Sequence, residues 1–264
     1  MSPLNELLDV VVITGAGRGI GAAIARHLGN AGVPVVCVSR SNAAQVAEEI
    51  RSSGGRAESI CVDFADPKQT AEAVQQWLAA APYKRFGVVL AAGVTGAPGG
   101  LLNSDLSDWI RTMQINLFGN WAALQVLLPR LLQAHFGRIV AFSGGGSAYA
   151  YPIFSGYAAS KAAVVRATEN LDEELKGKGD FCTVCLAPGA IETDMLKGVR
   201  AAGAEVRRLG SMEEPVHFVE RFLGARHCAF SGRFVHARDA WAEWLDQPGK
   251  SLPANQWLLR RIEP

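Results

Sequence analysis

Short, almost continuously apolar runs alternate along this chain with longer segments in which apolar residues recur at helical spacing. The runs cover 10–13, 33–38, 57–62, 87–91, 138–142, 182–186 and, more weakly, 233–236. Helical segments fall near 19–31, 42–54, 67–80, 105–134, 155–176 and 212–225. Strands this apolar need cover on both faces, and a helix after each strand supplies it while returning the chain for a parallel neighbour. The pattern predicts an α/β fold: a doubly wound parallel sheet of about seven strands with helices on both faces, in one domain spanning 1–264. Pro188-Gly189 closes the sixth run, and the polar stretch after it predicts a loop or short helix, over 194–210, that covers a site. The tail 237–264 holds Trp241, Trp244 and Trp257, more aromatic surface than a free tail would keep in water. It is predicted to pack on the body or on a neighbouring subunit.

Charge narrows the partners. Lys plus Arg number 26 against 25 for Asp plus Glu, and a net charge of +1 makes no broad field for nucleic acid or an acidic membrane. A small-molecule partner is expected instead. No run of about 18 apolar residues is present and the N-terminus does not read as a secretory signal, so a cytoplasmic location is the expectation. The five cysteines are an odd number scattered among apolar runs, which suits reduced, packed thiols. Cys182 and Cys185 have a redox or metal spacing, yet three residues along a strand place them on opposite faces. None of the five histidines forms a close ligand pair, so no metal is expected.

After the first strand stands Thr14-Gly15-Ala16-Gly17-Arg18-Gly19-Ile20-Gly21, leading straight into the first helical segment. Glycines there let the backbone turn sharply and approach a pyrophosphate without Cβ atoms in the way, and the helix N-terminus turns unpaired N–H groups to the anion. The chain also carries Tyr157-x-x-x-Lys161 in a helical segment and Pro188-Gly189 after the sixth strand. Together these motifs resemble the short-chain dehydrogenase/reductases, over 8–195 and by analogy most of the remainder. Arg18 stands where the extended branch requires glycine, so the short-subunit branch fits better. The resemblance implies a Rossmann fold and reversible hydride transfer between a nicotinamide and a carbonyl or secondary alcohol of a small organic substrate. It also implies a homodimer or homotetramer built through 105–134 and 155–176. The alternative is a catalytically weakened member acting as a nucleotide-binding sensor or partner subunit.

An NAD-specific site places an acid at the end of the second strand to hold the ribose 2′-hydroxyl. Here that position reads Ser39, followed by Arg40. Arg40 and Arg18 can donate charge-assisted hydrogen bonds to a 2′-phosphate, so NADP(H) is the expected cofactor, with NAD(H) the lesser alternative. By resemblance, Gly15, Arg18, Gly19, Ile20 and Gly21 line the phosphates, Asp63 and Phe64 the adenine, and Ala91-Ala92-Gly93 the fourth strand's exit. The family has two asparagines before that Ala-Gly where this chain has Leu90 and Ala91, so a polar link in mid-sheet is expected to be missing.

Tyr157 and Lys161 share one helix face, and an ammonium beside a phenol is expected to lower its pKa and make it a usable acid/base. The resemblance gives Asn116 a share in holding a relay water near the lysine, and gives Pro188, Gly189, Ile191 and Thr193 contacts to the nicotinamide end. One departure stands out. The family serine that polarises the substrate carbonyl falls on Gly144, leaving Ser143, Ser147 or a backbone N–H as stand-ins, with Ser143 the candidate. A pocket lined by 93–104, 144–154, 194–210 and part of the tail, with Tyr149, Tyr151, Phe154 and Met195, suits a moderately hydrophobic or ring-containing substrate.

Overall fold

The computed structural model describes residues 3–206 and 208–260. Residues 1–2, 207 and 261–264, which belong to the expected domain, covering segment and tail, lie outside the described residues. A short helix α1 (Pro3–Leu7) precedes β1 (Val10–Thr14), α2 (Gly19–Asn30), β2 (Val35–Ser39) and α3 (Ala43–Ser52). Next come β3 (Ala57–Cys61), α4 (Pro67–Ala80), β4 (Phe86–Leu90), α5 (Gly100–Asn103) and α6 (Leu106–Met113). A π-helical turn (Gln114–Gly119) joins α6 to α7 (Asn120–Gln133), followed by β5 (Phe136–Phe142), α8 (Ser155–Leu175) and β6 (Asp180–Ala187). The chain then forms β7 (Ala190–Ile191), α9 (Asp194–Ala201), β8 (Leu209–Gly210), α10 (Glu213–Leu223) and β9 (Arg233–His236).

Seven strands make one sheet in the order β3-β2-β1-β4-β5-β6-β9, every pairing parallel. This is the Rossmann-like fold that the alternating pattern predicts. Period-two alternation divides each buried strand between two cores. Val11 and Ile13 face α2, α3 and α10 through Leu28, Ile50 and Phe222. Val10 and Val12 face α4, α7 and α8 through Leu78, Leu127 and Val164. Cys182 belongs to the first core and Cys185 to the second, as an offset of three on a strand requires.

The order reverses between β1 and β4, and the crevice beyond the carboxyl ends of those strands is where such sheets bind ligands. The segment read as one helix over 105–134 is interrupted by the π turn, at which Gly119 lies so near β3's exit that a Cβ would stand 2.4 Å from the Phe64 carbonyl oxygen. Two-residue strands β7 and β8, which hydrophobic patterning does not signal, pair in parallel and close the base of a flap whose helix is α9. The tail returns to the body. Trp241 is buried edge-on to Phe218 at 4.8 Å between centroids, and the Trp257 carbonyl accepts a hydrogen bond from the Phe234 amide at 2.8 Å.

Candidate active site

β1 delivers Thr14 to the crevice, and the chain turns at once. Gly15 sits in the left-handed region (φ +69°), where a side chain would also strike the Ala92 backbone at 2.7 Å. At Gly17 a Cβ would fall 1.9 Å from the Ser41 carbonyl oxygen, so the β2 loop packs directly on bare backbone. Helix α2 starts at Gly19 with no side chain capping its first turn, which leaves its N–H groups for an anion from the crevice. Such a cradle fits a dinucleotide pyrophosphate.

Toward the adenosine end, the Ser39 hydroxyl donates to the Ser41 carbonyl at 2.5 Å, fixing the turn that carries Arg40. Arg40 and Arg111 each reach the Asp63 carboxylate at 3.4 Å, and the Ala65 amide donates to its other oxygen at 3.0 Å. Burial pushes the Asp63 pKa up, but that amide and the two guanidiniums outweigh it and hold the carboxyl below its usual range. Both Arg18, which is exposed, and Phe64, which is buried, line the cleft.

Tyr157 and Lys161 rise from α8 one turn apart and both are buried. The Lys161 ammonium donates to the Phe142 carbonyl at 2.7 Å and stands 5.9 Å from the centroid of the Tyr157 ring. Burial lowers the lysine pKa to about 8. Burial also drives the tyrosine well above its ordinary value, with the phenols of Tyr151 and Tyr149 pushing the same way. The expectation that the ammonium lowers the phenol's pKa is therefore reversed in direction: desolvation of the phenolate outweighs a cation that is spent on a backbone carbonyl.

Gly93 ends the fourth-strand motif beside this pair. A Cβ on it would lie 3.3 Å from Asn116 Oδ1 and 3.5 Å from Lys161 Nζ, so asparagine and lysine meet behind a bare backbone. The Asn116 amide is saturated: Oδ1 accepts from the Val94 N–H at 2.8 Å, and Nδ2 donates to the Val94 carbonyl and to Ser160 Oγ, both at 2.9 Å. The mid-sheet polar link expected to be missing is present by another route. Thr14 Oγ1 accepts from the amides of Ala91 (2.9 Å) and Ala92 (3.1 Å) and donates to Asn120 Oδ1 at 2.5 Å. Asn120 was not singled out from sequence; its one signal is an amide side chain four residues beyond Asn116, on the same helical face.

At the opposite end, Gly189 (φ +82°) leaves room for His236, whose Cε1 would be 3.3 Å from a Cβ there. Ile191 is held in the β7–β8 ladder, and Thr193 caps α9 by accepting from the Leu196 amide at 3.4 Å. One cleft of about 2130 Å³ is lined by each of the expected cofactor and catalytic residues except Asn116, which lies behind Gly93, and by Tyr149, Tyr151 and Met195. Residues 97–104 and Phe154, expected to line it as well, do not: Phe154 is buried in the body. The cleft also gathers Arg111, Thr112, Met212, Phe234, His236 and Arg238, which topology brings in from distant positions. The tail tryptophans are not among its lining; they pack near α10 and β9 instead.

The family described as "short chain dehydrogenase" matches residues 9–204, from the first strand through the flap helix. The chain belongs to the short-chain dehydrogenase family. It is accordingly an oxidoreductase. It is similar to a 3-oxoacyl-(acyl-carrier-protein) reductase of Aggregatibacter actinomycetemcomitans, 32% identical over 83% of this chain and 93% of the relative. A short-chain type dehydrogenase/reductase of Picea abies is 34% identical over 78% of this chain and 82% of that one. Among solved structures, a putative NAD(P)-dependent gluconate 5-dehydrogenase from Beutenbergia cavernae with bound NADP superposes with a TM-score of 0.80 at 28% identity. It covers 92% of this chain and 100% of its own. A gluconate 5-dehydrogenase from Burkholderia cenocepacia in complex with NADP and tartrate gives a TM-score of 0.75 at 25% identity, covering 86% and 92%.

For a short-chain dehydrogenase, the loop after β5 is unusual in a specific way. A Cβ on Gly144 would stand 2.0 Å from the Tyr157 hydroxyl oxygen, so the phenol occupies the space in which a side chain at 144 would begin. The neighbouring serines are engaged elsewhere. Ser143 Oγ is buried and donates to the Lys161 carbonyl at 3.5 Å, and Ser147 Oγ donates to the Gly144 carbonyl at 2.8 Å. No described helix of this short-chain dehydrogenase is long and apolar enough to cross a membrane.

Proposed function

We propose that the protein interconverts a carbonyl and a secondary alcohol on a small, moderately hydrophobic or ring-containing substrate with NADP(H) in preference to NAD(H). The observation that carries this reading is the buried Tyr157–Lys161 pair lining the same cleft as the uncapped α2 terminus. A nicotinamide bound there supplies or accepts the hydride. Gly15, Gly19, Ile20 and Gly21, which line the cleft, would hold its phosphates, and Pro188, Gly189, Ile191 and Thr193 would hold its nicotinamide end. Tyr157, kept protonated by burial, donates its proton to the developing alkoxide in reduction. Lys161 keeps its ammonium beside the phenol as that proton leaves. Ser143 supports the lysine's helix through its carbonyl, and Asn116 braces the wall behind both.

The cofactor preference rests on Ser39-Arg40, with no carboxylate at the end of β2, and on Arg18 across the same rim. The NADP found in the solved relatives is consistent with it. Arg40 bonds Asp63 at only 3.4 Å with its side chain 63% exposed, so exchanging that contact for a phosphate costs little. Steady-state kinetics with both cofactors test the reading. kcat/KM is expected to favour NADPH by at least about tenfold, and Arg40→Ala to shrink that ratio by about as much. Equal use of NADH would overturn the preference. Binding of NADPH without consumption, across a panel of ketones and aldehydes, would favour the nucleotide-sensing alternative.

A further inference from the structure

Asn120 lies at the head of α7, immediately after the π turn, and is 1% exposed. A π turn displaces carbonyls from their regular partners, and a buried carbonyl without a donor is destabilising. The two N–H groups of Asn120 Nδ2 serve three carbonyls, one of them shared: Ile115 at 3.0 Å and Asn116 at 3.2 Å in that turn, and Ala92 at 3.0 Å. Its Oδ1 accepts from the Thr14 hydroxyl. Three carbonyls on one side and a hydroxyl donor on the other leave a single orientation for the amide.

The bonds continue beyond it. Asn116 Nδ2 donates to Ser160 Oγ, and Ser160 Oγ donates to the Tyr157 carbonyl at 2.7 Å. Thr14, Asn120, Asn116 and Ser160 are each no more than 1% exposed, so this chain of bonds runs without water from the end of β1 to the first turns of α8. In such surroundings an unmade hydrogen bond is costly, and the members hold one another in place. We propose that Asn120 is a positioning residue for proton transfer: it ties the strand leading into the glycine turn to the π turn, and through Asn116 and Ser160 sets the Tyr157–Lys161 face of α8 against the cleft. In this chain, with alanine at 91, the tie between sheet and catalytic helix is carried from the helix side.

This inference rests on the proposed roles of Tyr157 and Lys161, and its test separates the two. Asn120→Ala removes both ends of the link, whereas Asn120→Asp keeps an acceptor for Thr14 but no donor for the three carbonyls. Both are expected to lower kcat by about 10- to 100-fold, the scale of a small misplacement of reacting groups, with the NADPH dissociation constant changed less than about threefold. Asn116→Ala combined with Asn120→Ala should be no worse than the stronger single change, because both act along one route. In the protein without cofactor, hydrogen exchange of peptides spanning 91–94 and 114–119 should quicken in Asn120→Asp while β2 and α3 keep wild-type protection. Thr14→Val, which deletes one hydroxyl, gives a milder variant should both Asn120 changes unfold the protein. Its kcat is expected to fall with wild-type exchange in β2. Wild-type kcat in a folded Asn120 variant, or losses that add fully with Asn116→Ala, would overturn the proposal. If Tyr157→Phe itself turns over at the wild-type rate, the proposed chemistry fails first; if it is inactive while Asn120→Ala is not, only the positioning role fails.

Discussion

The contest at Tyr157 is between charge and solvation, and solvation wins. A phenol in water titrates near pH 10, a nearby cation favours phenolate, and removal from water opposes it. With Lys161 committed to the Phe142 carbonyl, the balance keeps the proton on the oxygen. That suits the reductive direction, in which the first need is a donor. Lys161 sets the other limit, since its pKa is lowered to about 8. A depressed ammonium is present below that value and lost above it, so kcat/KM for reduction is expected to decline as pH rises through about 8. Lys161→Met should be poorly active and lack that descending limb; a wild-type profile flat across the range would remove the lysine's charge from the mechanism. Gly144 allows a sharper test. Restoring the family serine by design, Gly144→Ser, puts a Cβ 2.0 Å from the Tyr157 oxygen, closer than any real contact, so the phenol must move. Turnover is expected to fall by about tenfold or more, whereas a gain would show that the missing hydroxyl had been limiting.

Elements differ in how much of themselves they print in the sequence. β1, β2 and β4 are buried on both faces and so appear as unbroken apolar runs, and α2 is announced by the glycines before it. β7 and β8 are two residues each, too short for any periodicity, and exist because Ala190–Ile191 and Leu209–Gly210 meet once the sheet has formed. The π turn is equally silent, since one inserted residue leaves the apolar spacing of 105–134 almost unchanged. The Tyr157–Lys161 pair was legible because four residues on a helix is a local distance. Asn120 was not, because its meaning lies in a hydroxyl 106 positions earlier in the chain. Likewise His236 and Arg238 reach the cleft only through the pairing of β9 with β6. Gly144 marks a third kind of limit: its departure from the family was plain, but that the phenol has moved into the space is a fact of packing.

At the scale of the whole molecule, the sheet is covered by helices, yet one stretch of that cover is apolar on its outside. Leu106 and Ile110, four apart on α6, are 65% and 49% exposed, and Phe118, eight further on at the end of the π turn, is 51% exposed. Apolar side chains at this spacing share a helix face, and each costs free energy while it faces water, at about 25 cal/mol for every Å². A helix exposed to solvent for life would carry charge at such positions. We propose that a second copy of the chain covers this face, because α6 and the π turn both pack on α8 and a two-fold axis across them would bury the same residues twice. Light scattering is expected to give twice or four times the 28.1 kDa of one chain. The double change Ile110→Asp with Phe118→Asp should shift the mass toward a single chain, because an interface core excludes unpaired carboxylates. Wild-type protein that remains at 28.1 kDa across micromolar concentrations would leave the face without this partner.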